Sequence, residues 1–169
     1  IYACAGLYLE PASSTSQATP GETVKLNIET INRSAYPIKL ETIFCNNISI
    51  SKQLDLTENN GFDFHEVLEI PSAQKPTTPY WLSEKGTLGM YQVSEDSLIG
   101  KPESPRVFEV SFTLLFDKTP ITYTKPVIYK TNDPVKGEVY KPFEIIPEAS
   151  VKIPEKVMIF ENNQAKDIS

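Results

Sequence analysis

The chain has 169 residues, of which 40% are hydrophobic and 22% charged, a balance typical of one globular domain rather than of a disordered segment. Its net charge is −6 and its lysines are scattered singly, so we expect no nucleic-acid partner. The sequence contains no apolar run of about 18 residues, and we therefore expect no membrane insertion.

The first ten residues, IYACAGLYLE, predict one short helix. Pro11 follows at the point where a helix should stop. The residues that fall near one helical face are Ile1, Cys4, Ala5, Leu7 and Tyr8. We therefore expect a helical segment within residues 1–12.

Short alternating stretches separated by Pro and Gly follow over residues 13–150, and they predict strands. Val24, Leu26 and Ile28 alternate with polar residues, which indicates a strand with one buried face. The longest alternation places Phe108, Val110, Phe112, Leu114 and Phe116 on one face and predicts a central strand. The other positions expected to point inward are Ile38, Leu40, Thr42, Phe44, Phe64, Val67 and Ile70.

Seven or eight short strands at a spacing of about ten residues are typical of two antiparallel sheets packed face to face. No helical pattern lies between the strands, which argues against a parallel α/β fold. We therefore predict an all-β fold, an immunoglobulin-like antiparallel β-sandwich over residues 13–150 with a short N-terminal helix before it.

The two cysteines, Cys4 and Cys45, are too few for a disulfide framework and too far apart in sequence for a thiolate zinc site. Two separate buried thiols are the commoner arrangement for such a pair. The sequence leaves open whether the two residues are bonded to each other.

His65 is the only histidine, so any Ser-His-Asp triad would have to include it. The chain has no Gly-x-Ser-x-Gly motif to supply a serine nucleophile. We expect His65 to lie on the solvated face of a strand, and we predict no catalytic residue, no bound metal and no cofactor.

An acidic loop between Asp55 and Glu66 collects oxygen ligands and raises the question of a bound cation. Its remaining oxygen-bearing residues are Glu58, Asn59, Asn60 and Asp63. The spacing does not fit an EF-hand, because Gly61 falls at the seventh position from Asp55 instead of the sixth. An ordinary acidic loop is the favoured interpretation, with cation binding left open.

Two tripeptides, at Asn32 and Asn47, fit the N-glycosylation sequon. This pattern is frequent by chance and matters only in a eukaryotic secretory route.

The stretch KPTTPYWLSEKGTLGMYQ, at residues 75–92, holds the only tryptophan of the chain. Tyr80, Trp81 and Tyr91 could stack on a sugar ring or contact a neighbouring domain. The favoured alternative is packing, because aromatic residues fill cores far more often than they bind ligands.

Four segments together resemble the region that follows the catalytic domain of bacterial PIG-L-type (LmbE-like) deacetylases from Bacteroidetes. These segments are CAGLYLE, PGETVKLNIETINRS, PTTPYWL and YKTNDPVKGEVYKPFEIIP. The resemblance spans nearly the whole chain, and its more distinctive motifs are Pro-Tyr-Trp-Leu and Asp-Pro-Val-x-Gly-Glu. In that family the region consists of immunoglobulin-like modules related to the NPCBM-associated domain of glycosidases.

The resemblance implies a function without catalysis. The catalytic part of the family carries a His-Pro-Asp-Asp motif and a later histidine for zinc, and a chain with one histidine cannot supply them. Residues 1–12 look like the helical end of a linker from a preceding domain, and residues 151–169 like a terminal strand and the lead into a following module.

The implied role is a non-catalytic accessory domain, structural or for interaction, of a periplasmic or extracellular cell-envelope deacetylase. Its implied partners are neighbouring domains of the same polypeptide. A carbohydrate-binding module that uses exposed aromatic residues around Tyr80 and Trp81 is the alternative, with a glycan as partner. An independent enzyme is disfavoured.

The interpretation that the aromatic stretch packs against the sandwich predicts how this segment is arranged. Pro76 and Pro79 lack backbone donors, so the segment should cross the sandwich as an extended connection, and Gly86 and Gly89 should permit a sharp turn. We expect Trp81 and Leu82 to plug one end of the sandwich, with Tyr80 the more exposed ring. Full burial would make Trp81→Ala cost on the order of 3 to 5 kcal/mol in chemical denaturation.

Overall fold

Strands dominate residues 1–152, which are the residues that this computed structural model describes. The strands are β1 (Tyr8–Ser13), β2 (Gln17–Ala18), β3 (Thr23–Ile31), β4 (Ile38–Cys45), β5 (Ile48–Leu56), β6 (Gly61–Glu69), β7 (Glu109–Phe116), β8 (Thr119–Pro126), β9 (Ile128–Asp133), β10 (Gly137–Pro142) and β11 (Glu144–Ile145). Short 3₁₀ helices lie at Tyr80–Leu82 and Asp96–Leu98.

The strands form two large sheets and one small one. One large sheet has the order β10-β9-β1-β3-β6, the other has the order β5-β4-β7-β8, and β11 pairs with β2. Pairing in the large sheets is antiparallel except between β1 and β9. The apolar faces of both large sheets contribute to one buried core, so the prediction of an all-β sandwich is confirmed.

Alternation places the predicted residues of β3 and β7 in this core. Val24, Leu26 and Ile28 are buried, and the odd-numbered residues of β3 face outward. Strand β7 lies between β4 and β8, so it is a central strand as predicted, and Phe112 is completely buried in it. Period-two alternation along a half-buried strand therefore located both strands and their inner faces.

Strand β4 departs from the predicted alternation because it contains a β-bulge. Its pairing with β5 and β7 shifts register between Leu40 and Thr42. A bulge adds one residue to the strand, so the inward positions change from even to odd numbers. Ile43 is consequently buried, whereas Phe44 is 55% exposed and the prediction that it points inward is wrong.

Strand β6 keeps a strict alternation, with even-numbered residues inward. Ile70, just after the strand, is buried and Phe64 packs against the core, as predicted. Val67 is 49% exposed, so the prediction for this residue is wrong. An odd-numbered residue cannot share a face with two even-numbered ones in a regular strand.

The predicted N-terminal helix is also wrong. Residues 2–6 form a turn, with a hydrogen bond of 2.9 Å from the Ala5 N–H to the Ile1 carbonyl and a left-handed Gly6 at φ 55°. Strand β1 then pairs with β3 along its whole length, from Tyr8 opposite Ile31 onward. Leu7 and Leu9 are buried and Tyr8 is half-buried, a pattern that suits a strand as well as a helix.

The sandwich therefore includes residues that the sequence assigned to the linker, because β1 begins at Tyr8 rather than after residue 12. At the other end, Val151 and Lys152 are exposed and lie outside any strand. The rest of the predicted terminal strand within 151–169 falls outside the described residues.

A buried asparagine joins the two large sheets at one end. The Asn32 side chain donates to the carbonyls of Tyr36 (2.9 Å) and Leu56 (3.0 Å), and it accepts hydrogen bonds from the Ser34 N–H (3.0 Å) and hydroxyl (2.8 Å). Its amide is completely buried, so the sequon at Asn32 is inaccessible in the folded chain.

The turn between β4 and β5 joins the sheets a second time. Asn47 donates to the Val67 carbonyl (3.1 Å) and accepts from the Glu69 N–H (3.0 Å), and Asn46 donates to the Glu69 carbonyl (2.9 Å). These side-chain amides form hydrogen bonds with backbone groups of β6, the edge strand of its sheet. Part of an edge strand that would otherwise be open to pairing is thereby covered.

Two phenylalanines on neighbouring strands test whether the bulge in β4 turns Phe44 outward. Phe112→Ala should lower the free energy of unfolding by about 3 to 5 kcal/mol, because it removes a completely buried ring. Phe44→Ala, the matched control on β4, should cost less than about 1 kcal/mol, since its ring points outward. Urea denaturation of both variants measures the difference, and equal costs would contradict the bulge.

Candidate functional site

The predicted site residues lie on a long connection that joins β6 to β7. Residues 70–79 run without helix or strand, as the two prolines predicted. Thr77 fastens this segment to β11, because its N–H donates to the Ile145 carbonyl (2.7 Å) and its hydroxyl accepts from the Ile145 N–H (2.8 Å). The connection is therefore held at the end of the sandwich where β11 lies.

Tyr80 and Trp81 sit in the first 3₁₀ helix. The Tyr80 N–H donates to the Ser104 hydroxyl (2.8 Å), and the Tyr80 hydroxyl donates to the Lys101 carbonyl (3.1 Å). The two rings meet edge to face, with centroids 4.9 Å apart and planes at 87°. The Pro-Tyr-Trp-Leu motif thus builds a small aromatic corner that the loop at 101–104 supports.

The predicted burial of this corner is only partly correct. Trp81 and Tyr80 are both half-buried, and Leu82 is 54% exposed. Phe108 and Phe143 already fill the neighbouring part of the core, with ring centroids 6.2 Å apart. Trp81 therefore lies against the outside of the sandwich instead of plugging it.

One side of Trp81 borders a cleft of about 330 Å³, which we call the Trp81 cleft. It lies between the connection, the loop at 102–107 and the segment at 142–147. The residues important for its shape and charge are Trp81, Phe143, Glu103, Arg106, Glu144 and several prolines. The guanidinium of Arg106 forms an ion pair with the Glu103 carboxylate.

A second cleft, of about 450 Å³, lies between Trp81 and a tight hairpin. Thr87 and Met90 exchange backbone hydrogen bonds of 3.0 and 3.3 Å, and Gly89 has a φ of 83°. A Cβ on Gly86 would lie 2.5 Å from the Met90 carbonyl oxygen, so this position requires glycine. The turn predicted from the two glycines is confirmed.

Tyr91 lines this second cleft together with Trp81 and is 68% exposed. The structure thus brings all three predicted aromatic residues to one region, with Trp81 at its centre. Five large apolar side chains of the connection are more exposed than buried, and we call them the apolar arm: Leu82, Leu88, Met90, Tyr91 and Ile99.

Sequence reasoning missed most of the apolar arm. Leu88 is fully exposed at the turn of the hairpin, a place where Gly, Pro, Asn, Asp and Ser dominate. A leucine directly before Gly89 was the signal that could have identified it. Apolar side chains at such a place have no packing role within the described chain.

His65 lies on the outer, exposed face of the edge strand β6, opposite Asn27 of β3, as predicted. The acidic loop is spread over several elements. Asp55 lies in β5 and pairs with Lys39 at 3.5 Å, whereas Asp63 lies in β6. Within residues 1–152, no group of three or more His, Cys, Asp or Glu side chains is placed to hold a metal ion.

The cysteines are free and separate. Cys4 is exposed, contrary to the expectation of two buried thiols, and Cys45 is buried at the end of β4. Burial raises the pKa of the Cys45 thiol to about 11. Cys45 therefore remains a neutral thiol at neutral pH and serves as a small apolar core residue.

The Asp-Pro-Val-x-Gly-Glu motif has a structural role in the turn between β9 and β10. The Asp133 carboxylate accepts hydrogen bonds of 2.8 Å from the backbone N–H groups of Lys136 and Val135, which lower its pKa. Gly137 completes the turn at a φ of 78°. This motif therefore explains a hairpin rather than a binding site.

An ion pair on the outer face of the five-stranded sheet ties β9 to β1. Lys130 contacts the buried carboxylate of Glu10, and this hydrogen bond raises the pKa of Lys130. The pKa of Tyr8 is raised by burial and by its hydrogen bond to Glu10. These contacts reinforce a junction at which β9 pairs with only Ala12 and Ser13 of β1.

No helix of the described part of the chain is long and apolar enough to span a membrane. Comparisons with protein-family models, with curated proteins and with solved structures found no match for this chain.

Because Trp81 is only half-buried, its replacement should destabilise the fold less than replacement of a fully buried tryptophan would. Trp81→Ala should reduce the free energy of unfolding by about 1 to 3 kcal/mol, because only part of the ring area is withdrawn from water. Leu82→Ala, a control on the same turn, should change it by less than about 0.5 kcal/mol. Urea denaturation followed by circular dichroism measures both, and a cost of about 4 kcal/mol or more for Trp81→Ala would show that the ring belongs to the core.

Proposed function

We propose that the chain is a non-catalytic accessory domain of immunoglobulin-like type that docks against neighbouring domains of its own polypeptide through the apolar arm. Its context, by the resemblance of four of its segments, is a cell-envelope PIG-L/LmbE-like deacetylase of a bacterium, in the periplasm or outside the cell. The apolar arm is the single observation that carries the docking function.

Its composition supports a protein contact. Exposed apolar side chains scattered singly are ordinary, but several on one segment mark an interaction surface. Leu82, Leu88 and Met90 expose large apolar side chains to water. Tyr91 adds an exposed aromatic ring of the kind enriched at interfaces. The hairpin holds Leu88 and Met90 on a short and well-defined turn, so little ordering of these two residues is needed when a partner binds.

The immunoglobulin-like assignment is supported by the arrangement of the two large sheets. Each is mainly antiparallel, each buries one face in the common core, and the strands are short. This architecture is shared by many accessory modules with unrelated sequences.

A second candidate function is carbohydrate binding by the aromatic residues Tyr80, Trp81 and Tyr91. It is favoured by one observation, namely that Trp81 is half-exposed and borders a cleft on either side.

An accessory role predicts no turnover by this chain. Incubation with acetylated amino sugars, with zinc added, should release no acetate above a control without protein. Release of acetate that depends on this chain would overturn the non-catalytic assignment.

Docking predicts protection of the apolar arm in the parent polypeptide. Backbone amides within residues 82–99 should exchange hydrogen at least about tenfold more slowly in the full-length polypeptide than in the 169-residue chain, because a neighbouring domain covers them. Mass spectrometry of peptides from both proteins measures the rates.

Val135 supplies a matched control, since it is also exposed but lies on the β9–β10 turn. The double variant Leu88→Ser, Met90→Ser should lose the protection in the full-length polypeptide, whereas Val135→Ser should keep it. Equal exchange of residues 82–99 in the isolated and the full-length proteins would refute docking through the arm.

A further inference from the structure

The geometry points to the Trp81 cleft as a binding site for a pyranose ring that carries no anionic substituent. This inference rests on the second candidate function and specifies its location and its ligand. It assigns the ligand to the cleft lined by Phe143, Arg106 and Glu144, rather than to an open aromatic surface formed by Tyr80 and Tyr91.

The size and stiffness of the cleft suit one small ring. Its volume of about 330 Å³ lies at the lower end of the range for small-molecule sites. Pro79, Pro105 and Pro147 line it, and their fixed φ angles limit the rearrangement that a ligand would have to cause. A preformed wall of this kind lowers the entropy cost of binding.

The apolar part of the cleft fits the C–H face of a sugar. Trp81 is half-buried, so part of the indole remains accessible, and Phe143 is a buried part of the lining. The edge-to-face contact with Tyr80 fixes the plane of the indole. An aromatic ring that is both oriented and accessible can pack against a flat ligand without first losing side-chain freedom.

The polar part of the cleft fits the hydroxyl groups around such a ring. Glu144 and Arg106 line the cleft. A carboxylate can accept hydrogen bonds at two oxygens, and a guanidinium has five N–H donors in one plane. Both are planar groups that can engage neighbouring hydroxyls in pairs. Apolar walls with a few convergent polar groups are the usual composition of a specific small-ligand site.

The charges of the cleft select against anionic sugars. Its charged lining residues are Glu103, Arg106 and Glu144, with one net negative charge. Arg106 is already paired with Glu103, and the whole chain carries a net charge of −6. A uronate or sulfated ring would meet like charge at Glu144, whereas a neutral or protonated amino sugar would not.

The single tryptophan makes the test direct, because all indole fluorescence of the chain comes from Trp81, which lines the cleft. Titration of the 169-residue chain with a glucose hexamer or a glucosamine hexamer should shift the Trp81 emission in a saturable way, with a Kd in about the millimolar range or tighter. A galacturonate hexamer should produce no saturable shift. The absence of saturation with both non-anionic hexamers, or equal binding of the galacturonate hexamer, would overturn the assignment.

Variants identify which cleft is occupied. Glu144→Gln keeps the backbone bonds of β11 and should weaken binding of the glucosamine hexamer by about tenfold, because the charge-assisted contact of the half-buried carboxylate to the ligand is lost. Met90→Ala, which alters only the second cleft on the opposite side of Trp81, should leave the affinity within about twofold. The reverse ranking of these two variants would place the ligand in the second cleft and refute the proposal.

Calorimetry with Trp81→Ala provides a readout that does not depend on fluorescence. The variant should lose binding while circular dichroism shows a folded sandwich, and unchanged binding would refute the role of the indole. Leu88→Ser should bind the sugars like the unmodified chain, so failure of the cleft and failure of docking through the apolar arm give separate results.

Discussion

The two large sheets depend on a single core to which each contributes one apolar face. Leu26 and Ile28 of β3 and Phe112 of β7 are among its most deeply buried side chains. Neither sheet has another way to withdraw this area from water, so the hydrophobic effect requires that they pack together. The turns, the edges and the long connection are arranged around this core, and only residues outside it are available for contacts with other molecules.

Side-chain amides complete the sandwich where the strands end. Asn32 links the end of β3 to β5, and Asn46 and Asn47 link the β4–β5 turn to the edge of β6. The buried Asn32 amide satisfies backbone carbonyls that water cannot reach, and leaving such a group without a partner is costly. The exposed amides of Asn46 and Asn47 bond to backbone groups at a sheet edge. Two of these residues, Asn32 and Asn47, also show why a sequon is a weak functional signal. Each is the asparagine of a sequon, and each has a side chain that hydrogen-bonds one sheet to the other.

The connection between β6 and β7 has a different character from the rest of the chain. It is held by Thr77 at β11 and by the loop that contacts Tyr80, but it adds little to the core. Its large side chains are therefore free to remain exposed. Trp81 separates two clefts, one beside the prolines and charged residues and the other beside the apolar arm. The protein contact and the small-ligand site that we propose therefore both lie on a segment outside the core.

Local pattern alone determined the all-β composition, the strands β3 and β7, the outward position of His65 and the glycine-dependent turn at residues 86–89. These features follow from alternation and backbone freedom, which act between near neighbours in sequence. Tertiary structure decided the bulge that turns Phe44 outward, the pairing that makes β1 a strand, and the half-exposed position of Trp81. Each of these depends on residues far away in sequence: β7 for the bulge, β3 for β1, and the segments 102–107 and 142–147 beside the tryptophan. Period and composition do not encode such partners, because the free energy of a non-local pairing comes from the surface that both elements bury together.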